Sequence, residues 1–321
     1  MNKLRVGILM GGPSAGHDIS LSSAEAIRES LNSSKYEVIP VVIGRDGSWP
    51  VEVSDLADDI DIAFIAMHGE YGEDGTVQEI LRDAGIPFTG SDVLPSALAM
   101  NKILASRLLA SHGISVPRFV VVHKHEKTVD PFKDFDFPVV VKPADRGSSV
   151  GVSVVRVPEE LYVALQNTFR FSRDAIVQEY IPGHEVTCSV LDDGLGDVVP
   201  LPVSEIIRKS GNIFDYFAKS TRDARDEVTP ARLTDEGAEL IQRTAVAAHR
   251  AIGASGMSRT DMIIGEDGEL YVLEINTIPD MSENGLFPRA ALAHGITLGD
   301  LFDRIIEAGL RKHGLLLRSL S

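Results

Sequence analysis

The chain has a single cysteine, Cys188, among its 321 residues. An intramolecular disulfide is therefore impossible, and a cysteine-rich zinc site has no ligands to draw on. Long apolar runs are missing too. No stretch approaches the roughly 20 residues of a membrane span, and the opening run breaks at Gly11-Gly12, too short for a secretory signal. Positive charge is scarce: 31 Lys and Arg stand against 47 Asp and Glu, a net charge of −16. That balance argues against a nucleic-acid or anionic-membrane partner. Neither GxGxxG nor GxxxxGK[ST] occurs at the glycine-bearing loops, so a dinucleotide fingerprint and a P-loop are both absent. What remains is ordinary: 44% hydrophobic and 24% charged residues, enough for a large core without staples. The expectation is a cytoplasmic, soluble α/β protein of more than one domain.

Strand and helix signals alternate over the first ninety residues. Leu4–Met10, Val38–Ile43 and Ile62–Ala66 read as strands, Leu21–Leu31 and Thr76–Ala84 as helices. Such alternation predicts a parallel, Rossmann-like sheet, whose ligands sit beyond the carboxyl ends of its strands. Two glycine-bearing loops fall there, around Gly11–Asp18 and His68–Gly75. Pro95–His112 reads as one long helix stopped by Gly113. Short strand-like runs then surround a helix at Glu159–Asn167, and Thr234–Ile252 and Leu298–Lys312 read as later helices. Between them, Ser204–Pro230 is polar and aperiodic; a connection that long reads as a functional lid. The expected division is 1–94, 95–182 and 183–321, with the lid at 204–230.

The segment from Arg259 to Asn276 is the most informative. Two strands flank Asp267-Gly268, a strong hairpin signal. With those residues as the turn, Asp261 lies across from Glu274 and Arg259 across from Asn276, all on one face. The opposite face collects Met262, Ile264, Tyr271, Leu273 and Ile275. A four-residue loop preserves this pairing; a three-residue loop breaks it. Paired carboxylates repel unless a cation or proton intervenes. Asp261, Glu274 and the Asn276 side-chain oxygen suit Mg²⁺ or Mn²⁺, which take oxygen ligands and commonly share them with phosphates. The plain alternative is a solvated face with a surface Arg–Asp pair.

Phe137–Gly151 reads as a buried strand ending in Lys142, then a small-residue loop, Gly147-Ser148-Ser149-Val150-Gly151. Backbone N–H groups of such a loop can meet phosphate oxygens, and the lysine adds a point charge; an ordinary hairpin turn fits the same residues. Val177–Ile181 followed by Gly183-His184-Glu185 is a strand running into a turn. Its backbone could read an adenine edge, and Glu185 could accept from ribose hydroxyls.

The order of these pieces resembles the ATP-grasp superfamily. The segments GGPSAGHDISL, AMHGEYGEDGTVQ, MNK, VVVKPADRGSSVG, EYIPGHEVT, FDYFAKS, SRTDMII and LEINTIPDMSENGLFP are similar to those of the D-alanine–D-alanine ligase family over nearly the whole chain. The resemblance implies an ATP-grasp fold behind a Rossmann-like N-terminal domain. It also implies a cytoplasmic homodimer serving peptidoglycan precursor synthesis. The first D-alanine would be activated as an acyl phosphate, and the amine of the second would displace phosphate. By motif, Lys102, Lys142, Ser149, Gln178, Glu179, Tyr180, Ile181 and Glu185 would hold ATP. Asp261, Glu274 and Asn276 would hold two Mg²⁺ (or Mn²⁺) ions. Arg259 would stabilise the acyl phosphate, Ser148 would close the loop, and Lys219 would reach the γ-phosphate. Asp18 would hold the first substrate's ammonium, and His68, Asp280, Gly285 and Leu286 would line the amino-acid side.

Six positions depart from the family pattern: Asp18, Asn101, Gln178, Ser220, Asp280 and Gly285, where Glu, Asp, Glu, Tyr, Gly and Ser are usual. Four of them lie on the amino-acid side, so the ATP machinery is expected intact and the acceptor pocket altered. On that likeness, Gly285→Ser with Ser220→Tyr would strengthen D-alanine binding at the second subsite. The rival readings are a ligase of the same fold with another acceptor, such as D-lactate or D-serine, and a nucleotide-binding protein without turnover.

Overall fold

The computed structural model describes residues 3–125, 135–147, 150–208 and 225–315. The chain opens with β1 (Leu4–Gly11), α1 (His17–Ser30), β2 (Tyr36–Ile43), α2 (Val53–Asp59), β3 (Ile62–Ile65) and α3 (Thr76–Asp83). The three strands form a parallel sheet in the order β2-β1-β3, as the alternation predicts. β3 is buried throughout, the pattern of a strand covered on both faces.

The helix expected at Pro95–His112 is two helices, α4 (Val93–Met100) and α5 (Lys102–Ser111), bent by 100°. Asn101 causes the break. Its backbone is extended, at φ −84° and ψ 99°, and its side chain accepts from the N–H groups of Ile103 and Leu104. An Asn at an N-cap satisfies two orphan donors that a continuous helix would have paired internally. The bend leaves the Lys102 N–H free to donate to the Ala144 carbonyl at 2.7 Å, which ties α5 to the loop after the next sheet's central strand. No single helix among the described residues is long and apolar enough to cross a membrane.

β4 (Phe119–His123), β5 (Val139–Pro143), β6 (Ser153–Val155), α6 (Leu161–Thr168) and β7 (Asp174–Glu179) follow. They build an antiparallel sheet in the order β4-β7-β5-β6. The third sheet comprises β8 (Gly183–Asp192), β9 (Val198–Pro200), β10 (Ser204–Arg208), β11 (Arg225–Val228), and, beyond α7 (Asp235–Ile252), β12 (Met257–Gly265) and β13 (Leu270–Asn276). Its order is β11-β10-β8-β12-β13, with β9 also on β8. The two ends of the expected lid are therefore not irregular. Glu205 pairs with Val228 and Ile207 with Asp226, while the rest of the lid, 209–224, lies outside the described residues.

α8 (Leu286–Ala293) and α9 (Leu298–Lys312) close the chain. Their apolar faces do not pack on the third sheet alone. Phe287, Leu301, Phe302, Ile305 and Ile306 join the core built around β1 and β3, where Phe302 meets Phe64 edge-to-face at 6.0 Å. A second core lies between α7 and the β8–β12–β13 face. A third lies between α6 and the β4–β7–β5–β6 sheet.

Candidate functional site

Asp261 stands across from Glu274 and Arg259 across from Asn276, as the hairpin arithmetic predicts, but by a different route. The Gly265 N–H donates to the Glu269 carbonyl, so the loop holds three residues rather than the two or four that keep the pairing. A bulge at Leu273 then restores the register, because Met262 pairs with Val272 while Asp261 pairs with Glu274. The turn half of β13 is consequently flipped. Val272 and Leu270 join Met262 and Ile275 in the core, and Tyr271, expected there, instead hydrogen-bonds Asp267 at 2.8 Å. Leu273 is likewise displaced from the core face.

The carboxylates of this face are charge-matched. Arg259 grips Asp261 through two bonds of 2.8 Å. Thr187 on β8 donates to the same carboxylate at 2.7 Å, and the Asn276 amide does so at 3.3 Å. Burial works against the Arg259 charge. Asp261, Glu274 and Asp280 outweigh it and hold the guanidinium protonated above its ordinary range. Lys102, buried at the start of α5, lies 3.1 Å from Glu274 and donates to the Arg146 carbonyl at 2.8 Å. One ammonium thus joins the hairpin to the loop that follows Lys142. Among the described residues no three His, Cys, Asp or Glu side chains gather as metal ligands. The set here is two half-buried carboxylates and an amide, all-oxygen chemistry that suits a hard divalent ion.

Lys142 is buried near the end of β5 and Gln178 is buried on β7. Tyr180 and Ile181 are half-buried in the turn between β7 and β8, and Glu185 follows on β8. The Glu179 carboxylate is engaged by the Arg118 N–H and guanidinium, at 2.6 and 2.8 Å. Ser148, Ser149 and Lys219 lie outside the described residues, as does Ser220.

Asp18 is not brought to this cluster. Its side chain is 82% exposed and pairs with Arg45 at 2.7 Å. Two residues earlier, Gly16 packs so closely on His68 that a Cβ there would lie 2.9 Å from the histidine's own. His68, Asp280, Gly285 and Leu286 do gather. The His68 Nδ1 meets the Ile278 carbonyl at 3.0 Å, and its Nε2 lies 2.8 Å from the Ser23 hydroxyl. Burial first, then Arg259, lowers the His68 pKa and keeps the ring neutral, although Asp280 and the Ile278 bond oppose this. Asp280 accepts from the Ser282 N–H at 2.9 Å and lies 3.3 Å from the Ser23 hydroxyl, whose proton goes to the neutral His68 Nε2. Gly285 caps α8, and Leu286 is its buried first residue.

Three contributors were not singled out from the sequence: Ser23, Thr187 and Glu73. All lie in or beside the quoted segments, yet their partners are distant in sequence, so local pattern carries no sign of them. Glu73 accepts from the Gly69 N–H at 2.6 Å and the Ile278 N–H at 3.3 Å. With His68, it grips both polar groups of the Ile278 backbone, two residues beyond Asn276. Burial, reinforced by Glu274, pushes the Glu73 carboxyl up to about 7 against the pull of those N–H groups and Arg259. A raised carboxyl favours the protonated fold, so its stabilisation is full below the ordinary 4.5 and is lost as pH rises through about 7. The stability advantage of wild type over Glu73→Gln, read by denaturant unfolding, should therefore shrink between pH 5 and 8, by up to about 3 kcal/mol. A difference that stays flat across that range would show that Glu73 does not titrate there.

Comparisons with known proteins point to one family. The family described as D-ala D-ala ligase C-terminus matches residues 108–307, and its N-terminus counterpart matches 5–59 and 50–91. The D-alanine–D-alanine ligase of Geobacter sulfurreducens is 44% identical over 314 residues, 97% of this chain and 96% of the relative. That of Syntrophobacter fumaroxidans is 40% identical, over 96% of this chain and 98% of the relative. Among solved structures, the VanG D-Ala:D-Ser ligase of Enterococcus faecalis superposes with a TM-score of 0.86 at 30% identity, covering 96% of this chain and all of that one. The Bacillus anthracis D-alanine–D-alanine ligase complexed with ATP gives 0.81 at 33%, covering 97% of this chain and 98% of that one. With both family halves matched and near-complete alignment at this identity, the chain belongs to the D-alanine–D-alanine ligase family and has its ATP-grasp fold.

Proposed function

We propose that the chain is an ATP-dependent ligase that joins two D-alanine molecules through an acyl phosphate, supplying a peptidoglycan precursor. The Lys102 bridge carries this reading. One buried ammonium touches Glu274 on the carboxylate hairpin and the Arg146 carbonyl beside the small-residue loop, joining the face that would bind cations to the loop that would bind phosphate. ATP would lie between the β5 and β7 ends and the third sheet, held by Lys102, Lys142, Gln178, Tyr180, Ile181 and Glu185. Asp261, Glu274 and Asn276 would hold two Mg²⁺ or Mn²⁺ ions, which when bound supply positive charge to the triphosphate. Arg259, fixed in orientation by Asp261, would present its remaining N–H groups to the acyl phosphate and to the oxyanion of the tetrahedral intermediate. Ser148, Ser149 and Lys219 would complete the phosphate contacts, and the working unit would be a homodimer.

A second reading, the same chemistry with another acceptor, draws on Asp280 and Gly285, which put a charge and a missing side chain on the amino-acid side. ADP release across pairs of D-amino and D-hydroxy acids separates the two. D-alanine with D-alanine should give the highest rate; faster turnover with D-serine or D-lactate as acceptor would move the assignment. Release with no pair would remove ligase activity altogether. Lys102→Met tests the bridge. Losing a charge-assisted bond costs on the order of 1.5–3 kcal/mol, so the Michaelis constant for ATP should rise roughly 10- to 100-fold. An unchanged constant would take Lys102 out of the nucleotide site.

A further inference from the structure

An α-amino acid enters at neutral pH as a zwitterion, and its ammonium needs a fixed counter-charge inside a largely buried site. On the ligase reading, the two substrates differ in this need. The acceptor amine must shed its proton before it can attack, whereas the ammonium of the activated amino acid stays charged throughout. Four carboxylates share the electrostatic environment of Arg259: Glu73, Asp261, Glu274 and Asp280. Three are spent. Glu73 has an N–H on each oxygen, Asp261 is wrapped by Arg259, Thr187 and Asn276, and Glu274 faces Lys102. Asp18 is committed to Arg45 at the surface.

Asp280 differs. Its Oδ1 takes the Ser282 N–H and lies 3.3 Å from the Ser23 hydroxyl oxygen, while its Oδ2 has no hydrogen-bond partner among the described residues. The carboxylate is also held from several sides. Ser23 is fully buried, receives the Met281 N–H at 3.2 Å and sits 2.8 Å from His68. His68 is in turn anchored on Ile278. A half-buried carboxylate with one oxygen pinned and the other open is arranged to receive a cation.

Resting on the ligase reading, we infer that Asp280 is the residue that selects an amino acid as the activated substrate, its Oδ2 accepting the substrate's ammonium, with Ser23 and His68 as its positioning residues. The site would then distinguish D-alanine from D-lactate as donor at one charge. Hydroxylamine as acceptor isolates that step, because it traps either acyl phosphate as a hydroxamate without using the second subsite.

Wild type should form D-alanine hydroxamate much faster than D-lactate hydroxamate. Asp280→Asn keeps the pinned oxygen and removes the charge. It should lower kcat/KM for D-alanine roughly 10- to 100-fold, as expected for one charged contact, with D-lactate unchanged or improved. Asp280→Glu should restore part of the preference, and Ser23→Ala should loosen it through the D-alanine KM rather than kcat. An Asp280→Asn enzyme that melts like wild type and keeps the full preference would overturn the inference, as would equal losses for both donors. A wild-type chain that makes no hydroxamate from any acid would defeat the ligase reading, and this inference with it.

Discussion

Glu274→Gln is expected to reduce ADP release to background while the melting temperature moves little, whereas Asp261→Asn should lose both the reaction and much of the stability. Sequence alone treats the two acids alike, as like charges whose repulsion a neutral substitute would relax. The structure separates them. Asp261 is the bidentate partner of Arg259, both side chains being less than one-fifth exposed, and it also receives Thr187. Removing its charge leaves a guanidinium in a poorly solvated place. Breaking one side of a buried pair costs about 3–5 kcal/mol, a large part of the 5–15 kcal/mol that typically holds a domain together. Glu274 is 28% exposed and faces Lys102 through a single contact, and that ammonium keeps the Arg146 carbonyl as a second partner, so less is left unsatisfied when the charge is removed. Thermal unfolding beside an ADP-release assay decides the matter. Equal melting temperatures for the two variants would mean that the Arg259–Asp261 pair adds no net stability, and retained turnover in Glu274→Gln would remove it from the reaction.

Gly285→Ser should damage the enzyme rather than improve it. Family likeness suggests that a serine here would add a contact to the acceptor's carboxylate. In this chain a Cβ at 285 would fall on the Asp280 carbonyl oxygen, with the Asp280 carbonyl carbon and the Ser282 oxygen each 3.0 Å away. The backbone angles are ordinary for any residue, φ −64° and ψ 150°, so the obstacle is space and not torsion. The turn from Asp280 to Gly285 is closed by the Gly285 N–H on the Ser282 carbonyl at 2.7 Å, and any outward shift pulls on Asp280. Overpacking of this kind costs typically about 1–3 kcal/mol. Turnover should fall by tenfold or more, with a higher Michaelis constant for the amino acids. A faster enzyme with an unchanged melting temperature would show that the turn yields without cost.

Much of this was legible in the sequence because its signals are local. Alternating apolar runs gave the parallel sheet, and Asp-Gly gave the hairpin. What escaped depends on where distant segments meet. Pro95–His112 has helical composition at every position, and only the capping geometry of Asn101, with Ala144 waiting for the Lys102 N–H, makes it two helices. The Asp261–Glu274 pairing came out right although the loop holds three residues rather than two or four, since the bulge at Leu273 corrects it. No composition rule at 273 predicts that bulge. Asp18 has the charge expected of a substrate-binding acid, but helix geometry turns it outward and leaves Gly16 facing His68. Ser23 and Glu73 gain their roles only when α1 and the loop after β3 are set against residues near 280, more than 200 positions along.

The packing of the last helix on the first sheet also bears on how the chain acquires its structure during synthesis. β1, β2 and β3 are complete within the first 65 residues, yet their core is finished by Leu301, Phe302, Ile305 and Ile306. A nascent chain therefore carries an unfinished apolar face on its earliest segment until nearly the whole polypeptide has left the ribosome. The β4–β7–β5–β6 sheet, whose described cores draw on residues between Val120 and Val177 on one face and add Ile103 of α5 on the other, has no such wait. It can settle while the older segment is still open, reversing the usual vectorial order in which the N-terminal part folds first.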